Sequence, residues 1–297
     1  MKKVLITGVN GLIGSAIAEF LLPYYEVIGT SIEESNNTGL NFKYIQFDIT
    51  DKSSFDKLPQ KVDVIIHCAA VLTSDDASNL LVKTNCIGIH NMGIYSKNVG
   101  CQQFIYCSGL PIIGKPFEIP ITEKHPINPL TVYHITKFFG ELVLKQMLDE
   151  KAVVILRITS PVGRKLPSNK ITSVFVKNAV EGVDLKLNGQ GKRIQNYIDV
   201  RDIARAVACA IKKEAHGIFN IASERSYSNR ELAELCIKLF KSKSKITFDG
   251  IDKEEDYQWI VSTAKAKKEL GFETQYSLSD TLQDLSRIFK DENSFYK

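Results

Sequence analysis

Tyr133 and Lys137 lie four residues apart in the segment that runs Pro-Leu-Thr-Val-Tyr-His-Ile-Thr-Lys. The apolar spacing predicts a helix from Thr131 to Leu148, and residues four apart project from one face of a helix. A tyrosine is a poor base at its ordinary pKa of about 10, but a neighbouring ammonium lowers that pKa. The pair is therefore predicted to take or give the proton of an alcohol. The alternative is a packed tyrosine that happens to precede a surface lysine.

A glycine-rich turn near the N-terminus has the spacing of a phosphate-binding loop. It runs Thr-Gly-Val-Asn-Gly-Leu-Ile-Gly and lies between a predicted strand and a predicted helix. Glycines permit a tight turn and close approach of the backbone, and the free amides at the helix start attract a pyrophosphate. The predicted cofactor contacts in this turn are Gly8, Asn10, Gly11, Leu12, Ile13 and Gly14. A turn without a ligand is the alternative.

Strands and helices alternate through the first half of the chain. Predicted strands occupy Lys3 to Thr7, Glu26 to Thr30, Phe42 to Phe47, Val62 to Ala70, Gln103 to Cys107 and Val153 to Ile158. Predicted helices occupy Leu12 to Leu22, Asn79 to Val99 and Thr131 to Leu148. This alternation predicts an α/β fold, a doubly wound parallel sheet of the Rossmann type.

The second half of the chain is less regular. Predicted strands are Leu185 to Leu187, Gln195 to Val200 and Ile218 to Ile221, and predicted helices are Ile171 to Glu181, Asp202 to Lys212, Asn229 to Lys241 and Thr263 to Leu270. We expect a dinucleotide-binding domain over 1–165, with 192–225 contributing. Residues 166–297 are expected to form a smaller, interleaved C-terminal α/β lobe that binds substrate.

Composition excludes several classes of function. The chain has 297 residues with a formal net charge of +4 and no basic run, so nucleic-acid binding is not expected. Six cysteines occur without metal-ligand spacing, so no metal site is predicted and the thiols suit a reducing cytoplasm. No apolar run approaches the roughly 20 residues of a membrane span, and no signal peptide precedes the first strand.

Several motifs resemble the extended short-chain dehydrogenase/reductase family, which includes NAD-dependent epimerases and dehydratases of nucleotide sugars. The resemblance rests on the glycine spacing, Phe-Asp-Ile at 47–49, His-Cys-Ala-Ala at 67–70, Thr-Asn-Cys-Ile-Gly at 84–88, and Tyr-Ile-Asp-Val-Arg-Asp-Ile-Ala at 197–204. It implies that Asp48 and Ile49 contact the adenine and that Ala69, Ala70 and Asn85 lie beside the cofactor. It also implies that Tyr133 and Lys137 bind the cofactor while they handle the proton.

The residues that follow the second strand favour NAD over NADP. Many relatives carry an acidic residue for the adenosine ribose where this chain has Ser31, with Glu33 and Glu34 just beyond. No basic residue occurs between Thr30 and Leu40 to bind a 2′-phosphate. The alternative is that the two glutamates are solvated loop charges.

Three positions depart from the family pattern. The hydroxyl residue after the fifth strand is replaced by Gly109, and Ser108 is the candidate substitute donor. Ser160 stands where an asparagine often ends the sixth strand, and Gln195 where an arginine often grips the diphosphate. Arg193, two residues before Gln195, is the candidate replacement because alternate residues of a strand share a face.

The resemblance implies an NAD(P)-dependent oxidoreductase that moves hydride to or from a carbinol or keto carbon of a nucleotide sugar. The departures leave two alternatives open, a non-nucleotide substrate or a weakened cofactor-binding regulator. The helices Asn79 to Val99 and Thr131 to Leu148 carry excess apolar surface. Since such helices pair across subunits in relatives, we expect a homodimer.

Overall fold

A parallel sheet forms the centre of the computed structural model, which describes residues 1–73 and 78–294. Its strands are β1 (Lys3–Thr7), β2 (Glu26–Ser31), β3 (Lys43–Gln46), β4 (Val64–His67), β5 (Gln103–Gly109), β6 (Val153–Ile158) and β11 (Gly217–Ile221). Their order in space is β11-β6-β5-β4-β1-β2-β3, and every neighbouring pair is parallel. The order reverses between β1 and β4, which confirms the predicted doubly wound sheet.

Helices pack on both faces of the central sheet, and the described residues form eight α-helices in all. They are α1 (Leu12–Leu21), α2 (Asn79–Val82), α3 (Ile89–Asn98), α4 (Val132–Met147), α5 (Ile171–Glu181), α6 (Val200–Lys212), α7 (Asn229–Phe240) and α8 (Leu278–Ser294). A π-helical turn joins α2 to α3, and a second one spans Ala266–Leu270; short 3₁₀ turns lie at Lys52–Lys57, Leu110–Ile113 and Glu150–Ala152. Within the described residues, no helix combines the length and apolar character that crossing a bilayer requires.

Alternating side chains of the central strands supply two cores. Val4 and Ile6 of β1 pack with α1 and α6 on one face, whereas Leu5 packs with α3 and α4 on the other. Successive residues of a strand point to opposite faces, so a strand covered on both faces needs a continuous apolar run. All six residues of β6 are buried for this reason.

The remaining strands are short and pair in three small sheets. They are β7 (Ser160–Val162), β8 (Leu185–Asn188), β9 (Ile194–Gln195), β10 (Tyr197–Asp199), β12 (Tyr227–Ser228) and β13 (Ile246–Asp249). β7 pairs with β10, β9 with β12, and β8 with β13. Side chains from α5, α7 and α8 form a separate core over β8. Residues 295–297 of the predicted smaller lobe lie outside the described residues.

The predicted strand from Gln195 to Val200 is wrong as a single element. Asn196 interrupts it, because the buried amide donates to the Ser223 carbonyl at 2.8 Å and to the Ser226 hydroxyl at 3.1 Å. Asp199 then accepts a hydrogen bond from the Arg201 amide at 2.8 Å and caps α6, which therefore begins at Val200. The helix predicted from Asp202 therefore begins two residues earlier.

Candidate active site

The predicted phosphate loop packs against the end of β4, at the point where the strand order reverses. Gly8 has a φ of +67°, and a Cβ added there would lie 2.8 Å from the Ala69 Cα. A Cβ on Gly14 would lie 2.3 Å from the Gly8 carbonyl oxygen. Gly11 precedes α1 without a side-chain cap, and the first amides of a helix have no intrahelical acceptor. The loop therefore has the backbone geometry and the free donors that a diphosphate requires.

Polar groups at the end of β2 surround the carboxylate of Glu33. Ser31 donates its hydroxyl to Glu33, and the Asn10 amide donates at 3.3 Å. The hydrogen bond from Ser31 lowers the pKa of Glu33, so this carboxylate is ionised near neutral pH. Lys165 enters from the distant segment after β7 and donates to the carbonyl oxygens of Asn10 at 3.1 Å and Asn37 at 3.0 Å. Sequence reasoning missed this lysine because nothing local to the loop indicates it.

Three residues that are predicted to contact the cofactor also form contacts within the protein. These contacts fix the backbone around each of them. The Asp48 carboxylate accepts from the Thr50 amide and hydroxyl, each at 2.8 Å. The Ile49 side chain is buried beneath Gly88 in the π-helical turn. Asn85 of the same turn accepts from the Val71 amide at 2.8 Å and donates to the Val71 carbonyl at 2.9 Å. Asn85 therefore holds the segment of Ala69 and Ala70 in place.

Tyr133 and Lys137 line one cleft, as their spacing predicts. Thr131 caps α4 by accepting from the His134 amide at 3.2 Å, which sets the first turn that carries Tyr133. Lys137 is only 3% exposed, and its Nζ lies 4.4 Å from the centre of the Tyr106 ring. Burial lowers the pKa of Lys137 to about 8. The cation–π contact partly offsets this loss of hydration.

The expected lowering of the Tyr133 pKa is absent in the protein alone. Burial instead raises that pKa to about 12. The ammonium of Lys137 lies over the neighbouring Tyr106 ring, and burial dominates at Tyr133. The phenol therefore carries its proton until further positive charge enters the cleft.

Ser108 reaches the cleft wall, but its hydroxyl is engaged elsewhere. Its Oγ lies 2.7 Å from Oε1 of Glu141, and Glu141 pairs with Arg157 at 2.7 Å. The Glu141 and Arg157 side chains are 1% and 4% exposed. The hydroxyl proton of Ser108 thus satisfies a buried carboxylate and is not aimed at a substrate. Gly109 also lines the cleft, in an extended conformation, and a Cβ there would meet only Pro111 Cδ, at 3.6 Å.

The cleft has a volume of about 490 Å³ and contains all of the predicted substrate residues. Ser160, Arg193 and Gln195 lie in its wall, with Tyr257 and Trp259 from the segment before the second π turn. Arg193 forms an ion pair with Glu254. Within the described residues, the buried Nε of Arg193 and the buried Nε1 of Trp259 have no hydrogen-bond partner. Buried donors without partners are rare, so these two groups are candidates to bind a ligand.

Sequence reasoning missed the contributions of Trp259, Tyr257 and Lys170 to this cleft. They come from segments that carry no local motif, and only the tertiary fold brings them to the carboxyl ends of the strands. Trp259 is the single tryptophan of the chain. In the sequence it is flanked by Gln258 and Ile260, so its neighbours do not indicate a binding role, although aromatic side chains with a polar edge are common at binding surfaces.

Comparisons with known proteins agree with this geometry. A sequence profile described as "NAD dependent epimerase/dehydratase family" matches residues 4–222. A UDP-N-acetyl-alpha-D-glucosaminuronate decarboxylase from Bacillus cytotoxicus is 30% identical over 275 residues, covering 85% of this chain and 84% of that protein. UDP-glucose 4-epimerase 2 of Arabidopsis thaliana is 25% identical over 329 residues, covering 96% and 94%.

A solved structure shows the same fold over nearly all of the chain. The crystal structure of UDP-glucose 4-epimerase with UDP-glucose from Thermotoga maritima superposes with a TM-score of 0.89 at 23% identity, covering 98% of this chain and 99% of that one. The profile match and the relative from Bacillus cytotoxicus carry the assignment of family, and the structural match carries the assignment of fold. This chain belongs to the NAD dependent epimerase/dehydratase family and is an oxidoreductase-type enzyme.

Proposed function

We propose that this protein binds NAD and moves hydride to or from a carbinol or keto carbon of a nucleotide sugar. The observation that carries the proposal is the convergence of Tyr133, Lys137, Arg193 and Trp259 on one cleft beside the glycine loop. The relatives named above act on UDP-linked sugars, according to their names. NAD would supply the nicotinamide that exchanges hydride with the substrate carbon.

Some of the proposed cofactor-site residues bind NAD directly, and others keep those residues in position. The amides at the start of α1 hold the diphosphate, and the ionised Glu33 accepts from the ribose 2′-hydroxyl. A 2′-phosphate would meet the charge of Glu33, which favours NAD. Ala69 and Ala70 line the path of the dinucleotide, and Asn85 keeps them there. Asp48 and Ile49 border the adenine end.

Tyr133 is the proton carrier in this proposal. Since burial keeps its phenol protonated, the phenol donates to the carbonyl oxygen when the carbon is reduced. In the opposite direction the phenolate accepts the alcohol proton. The positive charge of the oxidised nicotinamide would favour that phenolate, and the ammonium of Lys137 donates to the nicotinamide ribose. Gly109 supplies no hydroxyl to the reacting oxygen, so turnover is expected to be low.

The substrate phosphates are expected near Arg193 and Lys170, which line the cleft and leave the buried Lys137 to the cofactor. Ser160 and Gln195 then contact the sugar. A second candidate keeps the chemistry and replaces the substrate with a non-nucleotide alcohol. The ion pair between Arg193 and Glu254 favours it, because this guanidinium is already neutralised.

One set of measurements tests the proposed function. Calorimetric titration with NAD and NADP is expected to show preference for NAD. UDP-sugars are then screened for reduced-nicotinamide absorbance, and products are identified by NMR. Tyr133→Phe is expected to abolish turnover while it retains NAD affinity, since only the phenolic oxygen is removed. Preference for NADP would overturn the cofactor assignment. Full turnover of the phenylalanine variant would overturn the role of Tyr133 and favour a different proton carrier.

The assembly is expected to be a two-fold dimer in the cytoplasm. Leu80, Ile87 and Ile94 recur every seven residues along the helical segment 79–98 and are 53%, 48% and 37% exposed. Ile135, Phe139 and Leu142 form a matching exposed stripe on α4. A second copy of this chain would cover both stripes, because a two-fold axis brings the same face of each subunit together.

A further inference from the structure

Two thiols face each other in the wall of the cleft. Cys68 directly follows β4, and Cys107 lies in β5. His67 is paired with Tyr106 in these parallel strands, so Cys68 and Cys107 occupy the next pair of positions. Their sulfur atoms lie 3.5 Å apart, and both side chains line the cleft together with Lys137.

The two thiols differ chemically. With Cys68 as donor, their hydrogen bond lowers the pKa of the Cys107 thiol against the effect of burial, and the positive charge of Lys137 acts in the same direction as the hydrogen bond. The same hydrogen bond and burial raise the pKa of Cys68. The thiolate is the nucleophilic form of cysteine. Cys107 is therefore the attacking sulfur, and Cys68 is the sulfur that completes the reaction.

The other four cysteines lack this arrangement. Burial raises the pKa of the Cys86, Cys101, Cys209 and Cys236 thiols. Within the described residues, Cys68 and Cys107 form the one sulfur–sulfur contact. A reagent that selects for thiolate character is expected to react at this pair first.

We propose that Cys68 and Cys107 form a reversible disulfide when the protein reacts with hydrogen peroxide. The Cys107 thiolate attacks one peroxide oxygen; an S–O bond forms as the O–O bond breaks, and the departing hydroxide takes a proton to become water. The Cys68 sulfur then attacks the oxidised sulfur. The S–S bond forms as the S–O bond breaks, and a second water leaves with the Cys68 proton. The two thiols lose two electrons, and the peroxide gains them.

The strand geometry is compatible with this bond. Neighbouring strands lie about 4.8 Å apart, within the range of about 4.4–6.8 Å that Cα atoms of a disulfide span. The sulfur atoms must close from 3.5 Å to about 2.05 Å. Cys68 lies beyond the last paired residue of β4, whereas Cys107 is paired with Leu156 of β6, so the displacement falls on Cys68.

Formation of the Cys68–Cys107 disulfide would disturb the glycine loop. Cys68 is followed by Ala69, whose Cα would lie 2.8 Å from a Cβ on Gly8, so the loop and residue 69 are already in close contact. Drawing Cys68 toward β5 moves this contact. We expect NAD affinity to fall about tenfold, the effect of about one lost hydrogen bond. This consequence rests on the proposed function, whereas formation of the bond does not.

Peptide mapping after peroxide treatment tests the bond itself. Cys101 and Cys107 fall on one tryptic peptide, so the experiment uses the full chain with Cys101→Ser. The expected product is a crosslink between the Cys68 and Cys107 peptides that dithiothreitol reverses and that excess NAD suppresses. Cys209→Ser in the same background is the matched control and should give the same crosslink. Oxidation of Cys86, Cys209 or Cys236 while the pair stays reduced would overturn the proposal.

Calorimetry with NAD tests the consequence. Peroxide is expected to weaken NAD binding by the starting protein and the Cys209→Ser control, and dithiothreitol should restore it. In the Cys68→Ser and Cys107→Ser variants, affinity before and after peroxide should be equal. A crosslink without any change in affinity would contradict the link to the loop. If NAD does not bind the reduced protein, the proposed function fails, while the crosslink still decides whether the disulfide forms.

Discussion

Ser108 and Glu141 share a buried hydrogen bond, with the serine Oγ 2.7 Å from the carboxylate Oε1. Glu141 is also held by Arg157, so the serine hydroxyl completes a buried ion pair. Buried ion pairs are sensitive to the loss of any group that satisfies them. This contact indicates a structural role for Ser108, although both Ser108 and Gly109 line the cleft.

Ser108→Ala is expected to reduce stability and to leave turnover within a few-fold of the starting protein. Removing a hydrogen bond to a buried charged acceptor costs about 1–3 kcal/mol. Urea denaturation gives the change in the free energy of unfolding, and steady-state kinetics gives the change in turnover. A fall in turnover of about 100-fold with unchanged stability would show instead that Ser108 serves the reacting oxygen.

Gly109→Ser is expected to raise turnover by about tenfold or more, because it adds a donor near the reacting oxygen. The substitution fits, since Gly109 has φ −118° and ψ 135° and its added Cβ would lie 3.6 Å from Pro111 Cδ, an ordinary van der Waals distance. Gly109→Ala is the matched control, with the same Cβ and no hydroxyl. Equal turnover of the serine and alanine variants would argue against a missing donor.

Local spacing allowed the glycine loop and the Tyr133–Lys137 pair to be predicted, because both depend on short segments. The partner of Ser108 could not be predicted, since Glu141 lies on another element and only the fold brings them together. Lys165 and Trp259 were missed for the same reason. Helix α8 was also missed, although Leu278, Leu282 and Leu285 follow helical spacing and are buried.

Because of Lys137, the free energy of unfolding is expected to increase as the pH rises from about 8 to 10.5. Burial lowers its pKa in the folded protein from 10.5 to about 8. The unfolded chain therefore binds more protons in this range, and unfolding becomes less favourable as the pH rises. The full difference is about 3 kcal/mol. Urea denaturation over this range should show a smaller pH dependence for Lys137→Met.

The matched control for that measurement is Lys177→Met, on the exposed side of α5. It should keep the pH dependence of the starting protein. A Lys137→Met variant with the same rise in stability would show that other groups produce it.

Gly8→Ala is expected to abolish measurable NAD binding and to destabilise the protein. It combines a positive φ of +67° with a Cβ placed 2.8 Å from the Ala69 Cα. Gly182→Ala is the matched control, since Gly182 has φ +75° and no heavy atom within 4 Å of its added Cβ. The control should lose about 1 kcal/mol from the backbone conformation alone. Calorimetry and thermal unfolding separate the two effects, and equal losses would exclude a role for close packing at Gly8.

Ile87→Asp is expected to convert the proposed dimer to a monomer. A carboxylate without a partner in an apolar interface costs several kcal/mol, which weakens association more than about 100-fold. Ile251→Asp is the control, because Ile251 is 86% exposed and follows β13, outside the two helical segments that carry the stripes. Sedimentation velocity at micromolar concentration distinguishes the species. A monomeric starting protein would refute the assembly directly.

The edge strand β11 limits how the protein can be divided. Residues Gly217–Ile221 follow much of the smaller lobe in sequence, yet they pair with β6 along most of its length. A fragment that ends at residue 165 would leave one edge of β6 open, and every residue of that strand is apolar or buried in the intact protein. Open apolar edges promote pairing between molecules. Such a fragment would aggregate on expression, so the nucleotide-binding half cannot be isolated by cutting the chain once.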